Sequence, residues 1–168
     1  MDGNDERTGG APLPPWERSF SVQPGGSAAG MDLRGMELRG NLARIDFREA
    51  IFGAWDPVED GGGEDDDYGP GGIPDPVWTD FSGADLNGAN FFGADLSGVN
   101  FSMANLSGAD FGGCVTEETR FDEANLTGAN LKGVDLETAS WYGATIEGVV
   151  GLDEAGETTL TELLNTYL

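Results

Sequence analysis

Residues 84–101 read ADLNGANFFGADLSGVNF: a small residue, then Asp or Asn, then Leu or Phe, then two more, and again. A period of five fits neither the 3.6-residue turn of a helix nor the two-residue alternation of a strand. With the Leu or Phe as the centre of each five, the centres run Phe81, Leu86, Phe91, Leu96, Phe101, Leu106, Phe111, Thr116, Phe121, Leu126, Leu131, Leu136, Trp141 and Ile146. These are fourteen units without an insertion, and every centre but Thr116 is large and apolar. Small residues such as Ala84, Ala104, Cys114 and Ala124 stand two places before the centres, and ten units end on glycine.

Each unit therefore reads in, out, in, followed by two residues outside. The first three positions alternate faces as a strand does. The last two suit a corner, where glycine adopts backbone angles closed to other residues. A short strand and a corner, repeated in register, wind the chain around its own core, and each coil must bond to the next to bury it. Centres twenty apart match in type: Phe81, Phe101, Phe121 and Trp141 are aromatic, while Leu86, Leu106, Leu126 and Ile146 are aliphatic. A spacing of fifteen would mix them, and a spacing of ten leaves two strands that cannot enclose a core. Four units per coil, and a square cross-section, follow.

Units such as Ala84-Asp85-Leu86-Asn87-Gly88 and Ala124-Asn125-Leu126-Thr127-Gly128 resemble the pentapeptide-repeat family, whose pattern is A-(D/N)-L-x-x. The resemblance implies an all-β fold, a right-handed quadrilateral β-helix, with no catalytic residues in the repeats.

An imperfect earlier stretch extends the array. Residues 31–52 place centres at Leu33, Leu38, Leu42, Phe47 and Phe52, with one four-residue step between Leu38 and Leu42. This is expected to be a first, irregular coil. Residues 53–78, rich in Gly, Pro and Asp, lack the beat and are expected to project as a loop, after which 79–150 form the regular helix. Nineteen units make just under five coils, a rod roughly 23 Å long at strand spacing. Repeat arrays need covered ends. At 151–168, Leu160, Leu163, Leu164, Tyr167 and Leu168 follow the stripe of an amphipathic helix, with Thr159 and Glu162 at capping-box spacing. This short α-helix is expected to cap the last coil. The alternative, which the family resemblance brings in, is an end-to-end homodimer built from the same residues, in place of a monomer. Residues 1–30 are expected to be a disordered tail apart from a possible cap at 16–22, where Trp16, Phe20 and Val22 would cover the first coil.

Composition narrows the function. There are 31 acidic residues against 8 basic ones and no His, for a net charge of −23. Such a surface repels nucleic acid and anionic membranes and suits a partner protein with a basic surface. Without His there is no His-based general base or triad. The single Cys114 allows no internal disulfide or Cys-based zinc site, and its inward position makes it core packing. No glycine motif of a phosphate-binding type follows a strand. The run Glu64, Asp65, Asp66, Asp67 lacks the spacing of known calcium loops and is expected to be a solvated loop rather than a metal site. No catalytic residue, cofactor or metal is expected. No apolar run is long enough to span a membrane, and MDGNDERTGG lacks the basic start and apolar core of a signal peptide, so a soluble, cytoplasmic protein is expected.

Charge is distributed unevenly: −2 for residues 1–30, 0 for 31–52, −8 for 53–78, −9 for 79–150 and −4 for 151–168. With four units per coil, Asp95, Glu117, Glu118, Asp135 and Glu137 fall along one side. That side, together with loop residues Trp55, Asp65, Asp66, Asp67 and Tyr68, is the candidate partner surface of a non-enzymatic protein–protein interaction module. Trp55 and Trp78 serve equally well as pins holding the loop base to the rod. The resemblance adds an alternative, because some pentapeptide-repeat proteins imitate a DNA duplex and bind a type II topoisomerase, DNA gyrase or topoisomerase IV, in DNA's place. A third reading makes the acidity an adaptation to high internal salt.

Overall fold

The computed structural model describes residues 20–38, 40–55 and 77–164 of the 168. Parallel bridges join residues twenty apart through the regular region: Asp80 to Asn100, Asp85 to Asn105, Asn90 to Asp110, Asp95 to Val115, Asn100 to Arg120. One coil is thus four units, and the fold is a β-helix with four faces. The ladder works in both directions. The Phe101 amide donates to the Arg120 carbonyl (2.8 Å) in the next coil, and the Asn100 amide donates to the Thr79 carbonyl (3.1 Å) in the previous one. Corners close by a tight turn, as where the Ala84 amide donates to the Phe81 carbonyl (2.9 Å).

The centres form columns along the axis. Phe81, Phe101, Phe121 and Trp141 stack at centroid separations of 5.1, 5.4 and 4.5 Å, within 13° of parallel. Phe47, Phe91 and Phe111 form a second column at 4.9 and 5.1 Å. The two columns meet edge to face, as in Phe91 with Phe101 at 5.4 Å and 76°. Aromatic pairs of this kind add about 0.5–1.5 kcal/mol each beyond the area they bury. Leu86, Leu106 and Leu126 fill another side of the core, and all of these centres are fully buried.

The outward Asp or Asn of a unit has a local function that its exposure conceals. Its side-chain oxygen accepts the amide two residues on, at the corner: Asp80 from Ser82 (2.7 Å), Asn100 from Ser102 (3.0 Å), Asp110 from Gly112 (2.9 Å). Short polar side chains suit such turns because they reach their own backbone two residues on. Between coils the Asn amides donate to Asp carboxylates, Asn105 to Asp85 at 2.9 Å and Asn130 to Asp110 at 2.7 Å. Where Asn follows Asp in a column in this way, carboxylates do not stack directly on one another.

The winding starts earlier than residue 31. Ser27 already bridges Asp46, and Ala28, 1% exposed, occupies a centre position one coil below Phe47. The small Ala28 leaves room in that column for Phe20, whose ring stacks over Phe47 at 6.3 Å. Val22 also packs on the core, so the chain end covers the first coil there, while Trp16 lies outside the described residues. The four-residue step shortens the register to nineteen between Asp32 and Ile51.

The insertion is accommodated without disturbing the coil. Asn41 to Asp85 and Asp46 to Asn90 are bridges of 44 residues, so Phe52 and Phe81 sit in consecutive units of the rod although the separation between them exceeds one unit by 24 residues. Two short antiparallel strands, β1 (Ala54–Trp55) and β2 (Val77–Trp78), pair at the exit, Ala54 with Trp78 and Trp55 with Val77. The buried Thr79 hydroxyl accepts from the Gly53 amide (3.2 Å) and lies 2.9 Å from the Leu33 carbonyl, so the broken ladder is satisfied there.

At the far end α1 (Glu154–Leu163) packs its fully buried Leu160 on the last coil, with Leu163 and Leu164 partly buried beside it. The helix begins earlier than the Thr159–Glu162 spacing predicts. Asp153 is the N-cap, accepting from the Gly156 amide at 2.9 Å, and Thr159 lies inside α1. Glu154 and Glu157 in the first turn suit the positive end of the helix dipole. Tyr167 and Leu168 lie outside the described residues.

Phe101 is the hinge of this packing, touching Phe81, Phe91, Phe111 and Phe121. Phe101→Ala is expected to cost about 3–5 kcal/mol by leaving a cavity in the column, and Phe101→Asp to prevent folding by burying a charge. Chemical denaturation followed by circular dichroism checks both; a folded Phe101→Asp chain would contradict the stacked core.

Candidate functional site

Of the four faces, the one whose centres are Leu96, Thr116 and Leu136 departs from the rest. Its outward positions run Asp32, Ile51, Asp95, Val115, Asp135, with Asp32 bridged to Ile51 and Asp95 to Val115. On this face Ile51 (50% exposed) and Val115 (47%) alternate with carboxylates; the outward positions of the other faces are mostly Asp and Asn, with Arg120 and the exposed Val150 among the exceptions. Position two of a unit is an outward position whatever residue fills it, so an aliphatic residue there is displayed to solvent.

The corner of this face is acidic. The Gly98 amide donates to the Glu117 carbonyl (2.8 Å) and the Glu118 amide to the Thr138 carbonyl (2.9 Å), so Glu117 and Glu118 lie one coil from Ser97 and Gly98, and Glu137 one coil further. Asp95, Glu117, Glu118, Asp135 and Glu137 are all exposed and share this side, as their spacing predicts. They are not equivalent. Asp95 accepts from the Ser97 amide (3.0 Å) and hydroxyl (2.6 Å), and Asp135 from the Glu137 amide (3.2 Å), so both aspartates also hold corners. Glu117, Glu118 and Glu137 have no side-chain hydrogen bond or ion pair among the described residues. Their carboxylates are available to a partner.

Glu118 has φ +55°, in the left-handed region that the repeat normally gives to glycine. A side chain there costs roughly 1–2 kcal/mol. The fifth coil is also irregular on this face. Leu136–Thr138 form a 3-10 turn, and the Trp141 indole donates to the Leu136 carbonyl at 2.8 Å. The buried Thr116, the one polar centre, is satisfied by donating to the Asp135 carbonyl at 3.1 Å.

Trp78 borders this side and pins the base of the insertion to the rod. Its ring lies so close over Gly98 that a Cβ there would come within 2.1 Å of it, while 47% of the residue stays exposed. Trp55 contributes a backbone pairing at the loop base. Asp65, Asp66, Asp67 and Tyr68 lie outside the described residues. The sequence signal that would have singled out Ile51 and Val115 is present but easily missed, being an aliphatic residue at the unit's second position.

The remaining groups offer little chemistry. Cys114 is 4% exposed and donates its thiol to the Phe91 carbonyl at 3.0 Å; burial pushes its pKa up to about 12. Among the described residues no group of three or more His, Cys, Asp or Glu is placed to hold a metal ion, and no helix is long and apolar enough to cross a membrane. In the first coils, Arg34 pairs with Asp32 at 2.9 Å and Arg48 with Asp46 at 2.7 Å, as the neutral charge of that stretch implies. The Arg48 hydrogen bonds hold the Asp46 carboxyl below its ordinary value.

A four-faced stack of five-residue units defines a class of repeat protein. Residues 77–113 and 104–140 match the family of pentapeptide repeats, in 8 copies. Among solved structures it is similar to a pentapeptide repeat protein from the Arabidopsis thaliana thylakoid lumen, at 25% identity over 92% of this chain and 84% of that one, TM-score 0.48. It is similar also to HetL, a pentapeptide repeat protein involved in heterocyst differentiation regulation in the cyanobacterium Nostoc, at 20% identity over 77% and 56%, TM-score 0.43. QnrB1, a plasmid-mediated fluoroquinolone resistance protein, aligns at 19% identity over 84% and 62%, TM-score 0.30. No curated protein matches the chain.

Two outcomes test the site's description. Cys114 is expected to resist iodoacetamide at pH 8 in the folded protein and to react on unfolding, read by mass spectrometry, since the thiol stays protonated and enclosed. Glu118→Gly is expected to raise stability by about 1 kcal/mol, a shift of roughly 2–4 °C in melting temperature, by removing the left-handed strain.

Proposed function

We propose that this protein is a non-catalytic interaction module that binds a partner protein through the face bearing Ile51, Val115 and the acids Asp95, Glu117, Glu118, Asp135 and Glu137. The observation that carries this reading is that Ile51 and Val115 stand exposed on the same face as the carboxylates of Glu117, Glu118 and Glu137, which have no partner among the described residues. Apolar contact area gives affinity, while surrounding carboxylates steer a basic partner and fix its register. Pentapeptide-repeat proteins serve in general as structural or interaction modules, which supports a binding role over a catalytic one. The partner is a protein with a basic surface carrying a small apolar patch.

The second reading, a DNA mimic that binds a type II topoisomerase, draws on charge density. The regular coils carry −9 over about 17 Å, roughly one charge per 1.9 Å, against one per about 1.7 Å in duplex DNA. The ion-paired first coils depart from a uniform mimic.

The readings are separable. In a quantitative capture from cell extract, Val115→Ser and the triple change Glu117→Gln, Glu118→Gln, Glu137→Gln are each expected to lower recovery of the specific partner at least tenfold. Glu147→Gln on another face is expected to leave recovery within twofold. Equal recovery by the wild type and all three variants removes the interaction face. In a supercoiling assay with purified gyrase, with and without a quinolone, inhibition or protection supports the mimic, and no effect excludes it.

A further inference from the structure

Where the acidic face turns its corner, the rod is indented. Trp78 stands at one end of this groove and α1, through Leu163, at the other; Gly98, Arg120, Glu118 and Glu137 line it between them, in a volume of about 720 Å³. It runs from the second coil, where Trp78 sits, to the fifth, where Trp141 and α1 sit. Three intercoil steps of about 4.8 Å give a length of about 14 Å, which an extended chain covers in about four residues.

The lining is chemically uneven. Glu118 and Glu137 carry carboxylates without a partner among the described residues, while Asp80 accepts from Asn100 at 3.1 Å. Against these three acids stands one cation, Arg120, whose side chain has no acceptor among the described residues. The groove is net negative and has an exposed indole at its mouth. Trp78 is fixed there: its backbone pairs with Ala54, and its ring rests on Gly98, whose missing side chain gives it that space. An indole face beside carboxylates accepts a cation and the methylene stem that bears it. Arg120 supplies donors for the backbone carbonyls of a chain lying alongside.

We propose that this groove receives an extended segment of about four residues bearing Lys or Arg, contributed by the partner protein. The charged head lies between Glu118 and Glu137, and its stem lies on Trp78. The inference rests on the interaction reading above and names the partner element that the acidic corner grips; the apolar patch at Ile51 and Val115 is a separate contact.

A fluorescein-labelled acetyl-Lys-Arg-Lys-Arg amide tests it by anisotropy against the full chain at 50 and 150 mM salt. Binding by the wild type is expected, with Glu118→Gln/Glu137→Gln weakening it at least tenfold. Trp78→Ala is expected to weaken it several-fold with the circular dichroism spectrum unchanged, and Trp78→Phe to restore part of the loss. The charge-matched control Glu123→Gln/Glu147→Gln, on other corners, is expected to stay within twofold. Equal weakening by the two double variants means diffuse attraction by the whole acidic surface and overturns the groove. Absence of wild-type binding, or equal binding of a labelled tetraglutamate through Arg120, overturns it as well. If the peptide fails while partner capture still depends on Val115, the groove assignment falls and the interaction face stands.

Discussion

The parallel hydrogen-bond ladder between residues twenty apart governs everything else in this molecule. A coil has too few residues to bury its own centres, so inward Phe and Leu are stable only when the coils above and below align with them. The ladder enforces that alignment, and the aromatic columns at about 5 Å follow from the strand spacing. Because the register is fixed, every outward residue is fixed too. Faces and corners become addresses, and a change of residue type at one address recurs as a stripe.

That is why a single sequence discloses so much of this fold. The five-residue beat, the matching of Phe81 with Phe101 and Phe121, and the failure of a fifteen-residue alternative are enough to give four faces before any coordinates. The acids gathered on one side follow from the same arithmetic. The sequence is silent where a residue does two things at once. Asp95 and Asp135 read as free surface charge, yet each holds a corner amide, because a side chain reaching its own backbone leaves no trace in periodicity. The first coil is obscured for a different reason: Ala28 is too small to look like a core centre, and Phe20, eight residues away, completes its column. The onset of α1 is hidden by two competing cap signals, of which Asp153 prevails through its bond to Gly156.

The functional side shows how a regular scaffold acquires individuality. The other three faces carry mostly Asp and Asn at their outward positions and stabilise themselves through the bonds between them. The fourth gives up that self-satisfaction at Ile51 and Val115 and takes an irregular turn at Leu136–Thr138. Local departures of this kind are expected where binding rather than folding sets the residue.

The clamp at the base of the insertion has a consequence for how the protein can change over time. Phe52 and Phe81 occupy neighbouring units, and β1, β2 and Thr79 seal the exit, so the core does not register how many residues lie between. Lengthening a closed excursion costs only about 0.6 kcal/mol per doubling. The segment is therefore a module that selection can swap, extend or delete while the rod behind it keeps its register, and diversity among proteins built this way should accumulate there first.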